Sequence, residues 1–332
     1  MSKILEILKQ GKIRKIALVC FLFILGWISN QVYLKYILKI GEKDMPIRQN
    51  SSDFRYINPL LFVDNSEEIF PEYRNLKEDI SDYINRNIKD DKVEKASLYF
   101  RDLNSSHWAG VNEKELYTPS SMLKVAVLLT YLKISEKNPD IMSKKVKYIH
   151  KDSYNEYYKT NKIKNGEYTV LELLQYMIIE SDNTSMSLLV ALNTPEVVEL
   201  YEDLKLPNIL EGSSDFLSAE DYSYIFRTLY NASYVNKGLS EQALQLLTYT
   251  KFDKGIVAGV EASTTVAHKF GEHTITFNGV VTERQLHDCG IVYYPKKPYL
   301  VCIMTKGKDF KNLEKIISDI SSIVFNYNKN TN

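Results

Sequence analysis

The spacing of apolar residues changes several times along the chain. From Ile16 to Leu34 there is no periodicity, only 19 residues without a charge (IALVCFLFILGWISNQVYL). At ~1.5 Å per residue such a helix nearly spans a ~30 Å hydrocarbon layer, so the run predicts a transmembrane anchor. A mixed stretch with Pro46, Pro59 and Gln49-Asn50-Ser51-Ser52 follows and reads as a linker. Tyr73, Leu76, Ile80, Tyr83, Ile84 and Ile88 then recur at helical spacing. Ala96–Arg101 and Trp108–Val111 read as strands, and Ser121–Ser135 as a strongly apolar helix. Thr169-x-x-Glu172 is a capping box that opens a helix to Ile179, and another helix follows Asn183. Ser218-Ala-Glu-Asp opens a helix through Tyr230, and Ser240 opens one to about Thr248. Four strand-like runs come late, at Thr264–Lys269, Thr274–Val281, Gly290–Tyr294 and Tyr299–Thr305, before a closing helix over Lys311–Phe325.

Strands at both ends and helices between them do not alternate as βαβ units. The order predicts an α+β fold: an antiparallel sheet flanked by terminal helices, with an inserted all-helical lobe, preceded by one N-terminal transmembrane helix. A site is expected in the cleft between sheet and lobe. The expected organisation is a cytoplasmic tail over 1–15, an anchor over 16–36, an extracytoplasmic linker over 37–70 and a folded domain over 71–328. Lys3, Lys9, Lys12, Arg14 and Lys15 precede the apolar run against Glu6 alone, which favours an N-inside, single-pass orientation in the cell membrane. No small-x-small cleavage site follows the run, so it is not expected to be removed.

Composition narrows the classes. Lys+Arg is 42 and Asp+Glu is 42 in 332 residues, which argues against nucleic-acid binding. At this length a core forms without staples. The three cysteines, Cys20, Cys289 and Cys302, give no disulfide framework. A hairpin centred on Pro295-Lys296-Lys297-Pro298 sets Cys289 opposite Met304 and Cys302 opposite Ile291. The thiols are then diagonal, ~7 Å apart, and all three are expected to be free. No Cys/His spacing suggests a metal, and no cofactor is expected.

Candidate chemistry lies in three short motifs. Ser121-Met-Leu-Lys124 opens a helix, so serine and lysine share one face. A serine hydroxyl needs a neighbour to take its proton, and a lysine whose pKa is lowered by burial can do so. The bland reading is a capping serine followed by an exposed lysine. Ser181-Asp182-Asn183 sits between two helices, where all three residue types also cap helices. Lys269-Phe270-Gly271 lies on an apolar strand, with a glycine where a backbone could approach a ligand closely.

In this order and these settings the three motifs resemble those of the serine penicillin-recognising enzymes, the class A β-lactamases and penicillin-binding proteins. The resemblance runs from about Phe70 to Phe325 and includes His287-Asp288-Cys289-Gly290-Ile291-Val292. It implies a serine hydrolase acting on a small acyl substrate, a β-lactam or a peptidoglycan-like compound, with a monomeric catalytic domain. Ser121 is then the acylated nucleophile and Lys124 its base. Ser181 relays a proton to the leaving nitrogen, held by Lys269. Asn183 binds the substrate amide or Lys124, and the N–H groups of Ser121 and Glu272 form the oxyanion hole. Phe270, Gly271 and Glu272 line the substrate. Two features depart from the pattern. The loop Leu206–Leu217 is short and lacks Glu-x-x-Leu-Asn, leaving Glu211, and Asp215 near it, as candidate deacylation bases. Phe270 replaces a hydroxyl residue that helps bind a carboxylate, and Leu286 stands where an arginine is frequent, with Arg284 two residues earlier. Slow deacylation and weak carboxylate binding are expected. A D,D-peptidase, an esterase and a non-hydrolytic β-lactam or cell-wall sensor are the alternatives.

Overall fold

A computed structural model describes residues 47–48, 54–62, 70–149, 162–204, 206 and 215–330. The expected anchor, Cys20 and Glu211 lie outside these residues. Among the described residues no helix is long and apolar enough to cross a membrane. The compact body begins at Pro46.

The body is an α+β unit. Five antiparallel strands lie in the order β2-β1-β5-β4-β3, where β1 is Lys95–Asp102, β2 Trp108–Val111, β3 Val266–Phe277, β4 Val280–Val292 and β5 Tyr299–Gly307. Central β5 is buried along its whole length, so its alternate residues feed two cores. Val301 and Ile303 join Leu76, Ile80 and Ile84 of α1 (Arg74–Lys89) and Ile316, Ile317 and Ile320 of a helix at the other chain end (Phe310–Asn330). Leu300, Cys302 and Met304 face the helical lobe. That lobe comprises α2 (Lys124–Lys137), α3 (Val170–Ile179), α4 (Asn183–Leu192), α5 (Thr194–Asp203), α6 (Ala219–Tyr230) and α7 (Lys237–Leu247), which makes the closing helix α8.

Local chemistry sets most boundaries. The Thr169 capping box forms as expected, and Ser218, expected to open a helix, does so through a second capping box; each hydroxyl accepts the N–H three residues on. The helix after Asn183 is two helices, with Pro195 in the first turn of the second, a position that needs no N–H. α7 starts three residues before the expected Ser240: Asn236 is its cap, and Ser240 is buried within the helix, its hydroxyl donating to Val235 O at 3.3 Å. The expected strand over Thr274–Val281 is instead a hairpin. Asn278 (φ 50°) and Gly279 (φ 78°) turn the chain between β3 and β4, as Asn-Gly pairs favour.

Two expectations fail in ways that matter for function. Residues 54–59, read as linker, are laid onto the body. The Glu241 carboxylate accepts the N–H groups of Arg55, Tyr56 and Ile57 at 2.7, 2.8 and 3.0 Å, and Tyr56 and Ile57 are buried. The thiols of Cys289 and Cys302 are not free. The β4–β5 turn is Tyr294–Lys297, with Pro295 at its second position, Lys296 at φ 63°, and Lys297 N–H donating to Tyr294 O at 3.0 Å. It is centred one residue earlier than expected. Cys289 therefore faces Cys302 directly, with Cα atoms 4.0 Å apart, and the two form a buried disulfide. Lys269 is the next residue across the sheet from Cys289, on the same face.

Candidate active site

Ser121 lies on a tight turn, Ser120–Leu123, that runs into α2. Ser120 takes a left-handed φ of 49°, a strained value for a residue with a Cβ. The turn is fixed from three sides. Met122 O accepts the Tyr222 hydroxyl at 2.8 Å. Thr118 N–H donates to Gln285 Oε1 at 2.9 Å. Thr118 O lies 3.1 Å from His287 Nε2, while His287 Nδ1 lies 3.2 Å from Thr305 N. A carbonyl only accepts and an N–H only donates, so His287 carries its proton on Nε2. Burial pushes its pKa down to about 3, which agrees with a neutral ring. His287 and Gln285 were within reach of the sequence as polar residues in an apolar strand, but nothing in their spacing assigns them to this turn.

β3 presses against the same turn. A Cβ on Gly271 would lie 2.4 Å from Pro119 O and 2.9 Å from Met122 Cγ. The glycine is there because the protein's own nucleophile turn occupies that space, rather than to admit a ligand.

Lys124 and Lys269 are fully buried. Lys124 Nζ has four oxygen neighbours: Ser121 Oγ at 2.9 Å, Ser181 O at 2.5 Å, Ser181 Oγ at 3.0 Å and Asn183 Oδ1 at 2.7 Å. The carbonyl of Ser181 and Oδ1 of Asn183 can only accept. A neutral amine satisfies them with its two N–H groups and keeps one lone pair, which can accept the proton of Ser121 Oγ. Burial lowers the Lys124 pKa to about 8, with Asp182 and Glu272 pulling the other way. The neutral form is therefore accessible near physiological pH.

Ser181 joins the two lysines. It occupies the left-handed region (φ 53°) between α3 and α4. Its Oγ lies 3.0 Å from Lys124 Nζ and 3.0 Å from Lys269 Nζ. Its neighbour Asp182 caps α4 through Ser185 N at 2.6 Å and holds Lys162 N at 2.7 Å. Lys269 also donates to Phe270 O at 3.0 Å. Burial drives its pKa well below the usual lysine value, and nearby Lys124 adds to the effect. Phe270 stacks on Phe252, centroids 4.3 Å apart, and its ring centre lies 4.2 Å from Lys269 Nζ.

The structure thus brings Ser121, Lys124, Ser181, Asn183 and Lys269 into one hydrogen-bonded cluster, bordered by Phe270, Gly271 and Glu272. It does not bring in two other candidates. Asp215 accepts from Thr118 Oγ1 at 2.9 Å, Gln285 Nε2 at 2.9 Å and Lys306 Nζ at 2.6 Å. Partial burial would raise its pKa, but these hydrogen bonds and the Lys306 charge hold it below the usual carboxylate value. It is a fixed ionic strut rather than a base. Arg284 lies over Phe310, 5.1 Å from its centroid, and donates to Lys308 O at 3.3 Å, so it is spent on the α8 side. Among the described residues no His, Cys, Asp and Glu group could hold a metal.

A serine, a buried low-pKa lysine and a second serine shared between two lysines make up the machinery of a serine hydrolase that works without an imidazole base. The family model for the beta-lactamase enzyme family matches residues 75–328, and the chain belongs to that family. Solved structures share the fold. PBP-A is 20% identical with TM-score 0.64, covering 78% of this chain and 97% of its own. The extended-spectrum β-lactamase TLA-1 is 20% identical with TM-score 0.64, covering 76% and 98%. The class A β-lactamase from Mycobacterium abscessus is 20% identical with TM-score 0.63, covering 74% and 98%. Among curated proteins none matches.

Proposed function

We propose that this protein is a membrane-anchored serine hydrolase that is acylated at Ser121, reacts with β-lactams, and releases the acyl group slowly. The observation that carries the reading is the position of Lys124 Nζ, 2.9 Å from Ser121 Oγ with two neighbours that can only accept. Ser121 Oγ attacks the carbonyl carbon as Lys124 takes its proton. The N–H groups of Ser121 and Glu272 receive the developing oxyanion. The C–N bond then breaks, Ser181 gives its proton to the leaving nitrogen, and Ser181 is reprotonated through the two lysines. Water must later cleave the Ser121 ester. Asp215, which lies near the missing deacylation motif, is tied to Lys306, which supports slow release. The same chemistry serves a D,D-peptidase or an esterase on cell-wall acyl substrates. A non-hydrolytic sensor would acylate once and stop.

Intact-mass measurement of the full chain with a penicillin, followed over time, separates these readings. One adduct per chain that persists for many minutes is expected. No adduct would overturn acylation, and rapid turnover with no adduct remaining would overturn slow release. The anchor rests on the uncharged run Ile16–Leu34 and the basic cluster before it. A reporter fused after Asn332 is expected to be active only outside the cytoplasm, and activity only inside would reverse the topology.

A further inference from the structure

The segment that follows α7 joins the two halves of the active site. It leaves the helix at Thr248, reaches β4 at Ile256, and on the way touches residues beside both Ser181 and Lys269. Lys251 N–H donates to Ile179 O at 3.2 Å, and the Lys251 amine pairs with Glu180, the residue before Ser181. Thr250 Oγ1 donates at 2.9 Å to the carbonyl of His268, the residue before Lys269. Phe252 stacks on Phe270, the residue after Lys269, with centroids 4.3 Å apart and planes 18° from parallel.

The surroundings are shaped to these contacts. β3 is an edge strand, so alternate carbonyls along it face away from the sheet. His268 O and Phe270 O, two residues apart, accept from Thr250 Oγ1 and Lys269 Nζ instead. Gly255 leaves room for Phe252: a Cβ there would lie 2.7 Å from Phe252 Cε1 and 2.3 Å from Asp288 Oδ2. The buried Asp288 carboxylate accepts Ile256 N–H at 2.8 Å and lies 2.8 Å from His268 Nδ1 through its other oxygen. The segment is thus fixed to the lobe at Ile179 and Glu180, and to the sheet at His268, Phe270 and Asp288.

Ser181 Oγ and Lys269 Nζ come from opposite sides of this join and meet at 3.0 Å. We propose that Thr250-Lys251-Phe252 is a strap that sets their separation, and that Thr250 is a positioning residue for delivery of the proton to the leaving nitrogen. The inference rests on acylation at Ser121 and on the role of Ser181 proposed above. In that step the C–N bond breaks with its electron pair going to nitrogen, and the Ser181 hydroxyl proton goes to the same atom. A lysine N–H then returns a proton to Ser181, replacing the one that Lys124 took from Ser121. Attack by Ser121 draws on Lys124, whose place is set by α2, so a slack strap slows proton delivery and spares the attack.

The test uses the full chain in a neutral detergent and two reagents that modify Ser121. A penicillin needs a proton on its leaving nitrogen, whereas a fluorophosphonate expels fluoride, which needs none. Thr250→Val keeps the shape of the side chain and removes the hydroxyl. It is expected to slow modification by penicillin about tenfold and to leave the fluorophosphonate rate within about twofold, and Thr250→Ser should restore the penicillin rate. Phe252→Leu, which removes the stack, should shift the ratio of the two rates in the same direction. A substitution that only loosens the fold slows both reagents by one factor. Equal slowing, an unchanged ratio in both variants, or a Thr250→Ser protein as slow as Thr250→Val overturns the proposal. A natural protein that penicillin does not modify overturns the reading of the reaction, and this inference with it.

Discussion

Ser121→Ala is expected to abolish covalent labelling by a fluorophosphonate or a penicillin while the domain keeps its melting temperature within a few degrees. The side chain is small and partly exposed, and among the described residues its one hydrogen-bonded neighbour is Lys124 Nζ. Loss of one such bond costs about 1 kcal/mol of stability. The loss of chemistry is complete, because an alanine has no atom to acylate. Intact-mass measurement checks it. Labelling that survives would place the nucleophile elsewhere and dismantle the reading of the cluster.

Lys124→Ala is expected to lower the acylation rate by about 10²–10⁴-fold, the usual contribution of a positioned base. In the natural protein the rate should climb as pH rises through about 8, where the amine loses its proton and can accept that of Ser121. The sign follows from the role, since a lysine acting only as a cation would give a rate that falls over the same range. Stopped-flow acylation between pH 6 and pH 9 distinguishes the two. Removing the amine also strands Ser181 O and Asn183 Oδ1, so some loss of stability will accompany the loss of rate. Lys124→Arg separates the effects: it retains a donor but has no accessible neutral form, and it should not restore the pH-dependent rate.

Much of this was legible in the chain because the site is built on helix starts and one strand, where local chemistry fixes side-chain direction. Ser121 and Lys124 are one helical turn apart, so their meeting needs no tertiary information. Ser181 and Lys269 meet only through the packing of lobe on sheet, and their pairing came from resemblance rather than spacing. The misses have particular causes. An eight-residue strand drawn over Thr274–Val281 ran through Asn278-Gly279, a turn signal that β-branched and aromatic neighbours outweighed. The Cys289–Cys302 pairing hung on one residue of turn placement, since moving the centre of a hairpin by one shifts its cross-strand partners by two. Residues 54–59 fell inside a stretch read as linker from Pro46, Pro59 and the polar run Gln49–Ser52, and no local pattern shows that Glu241, nearly two hundred residues on, would bind their backbone.

That contact has a mechanical consequence. A pull transmitted along the chain meets Arg48, whose guanidinium donates to Asn231 Oδ1 at 3.1 Å and Ser106 Oγ at 3.3 Å, before it meets Arg55–Ile57, where one carboxylate grips three successive amides. The load is divided between the lobe, through Asn231 at the end of α6 and Glu241 of α7, and the sheet, through Ser106 in the turn between β1 and β2. A force applied there is shared by both halves of the molecule, so the seam that joins Ser181 to Lys269 is not the path it must take.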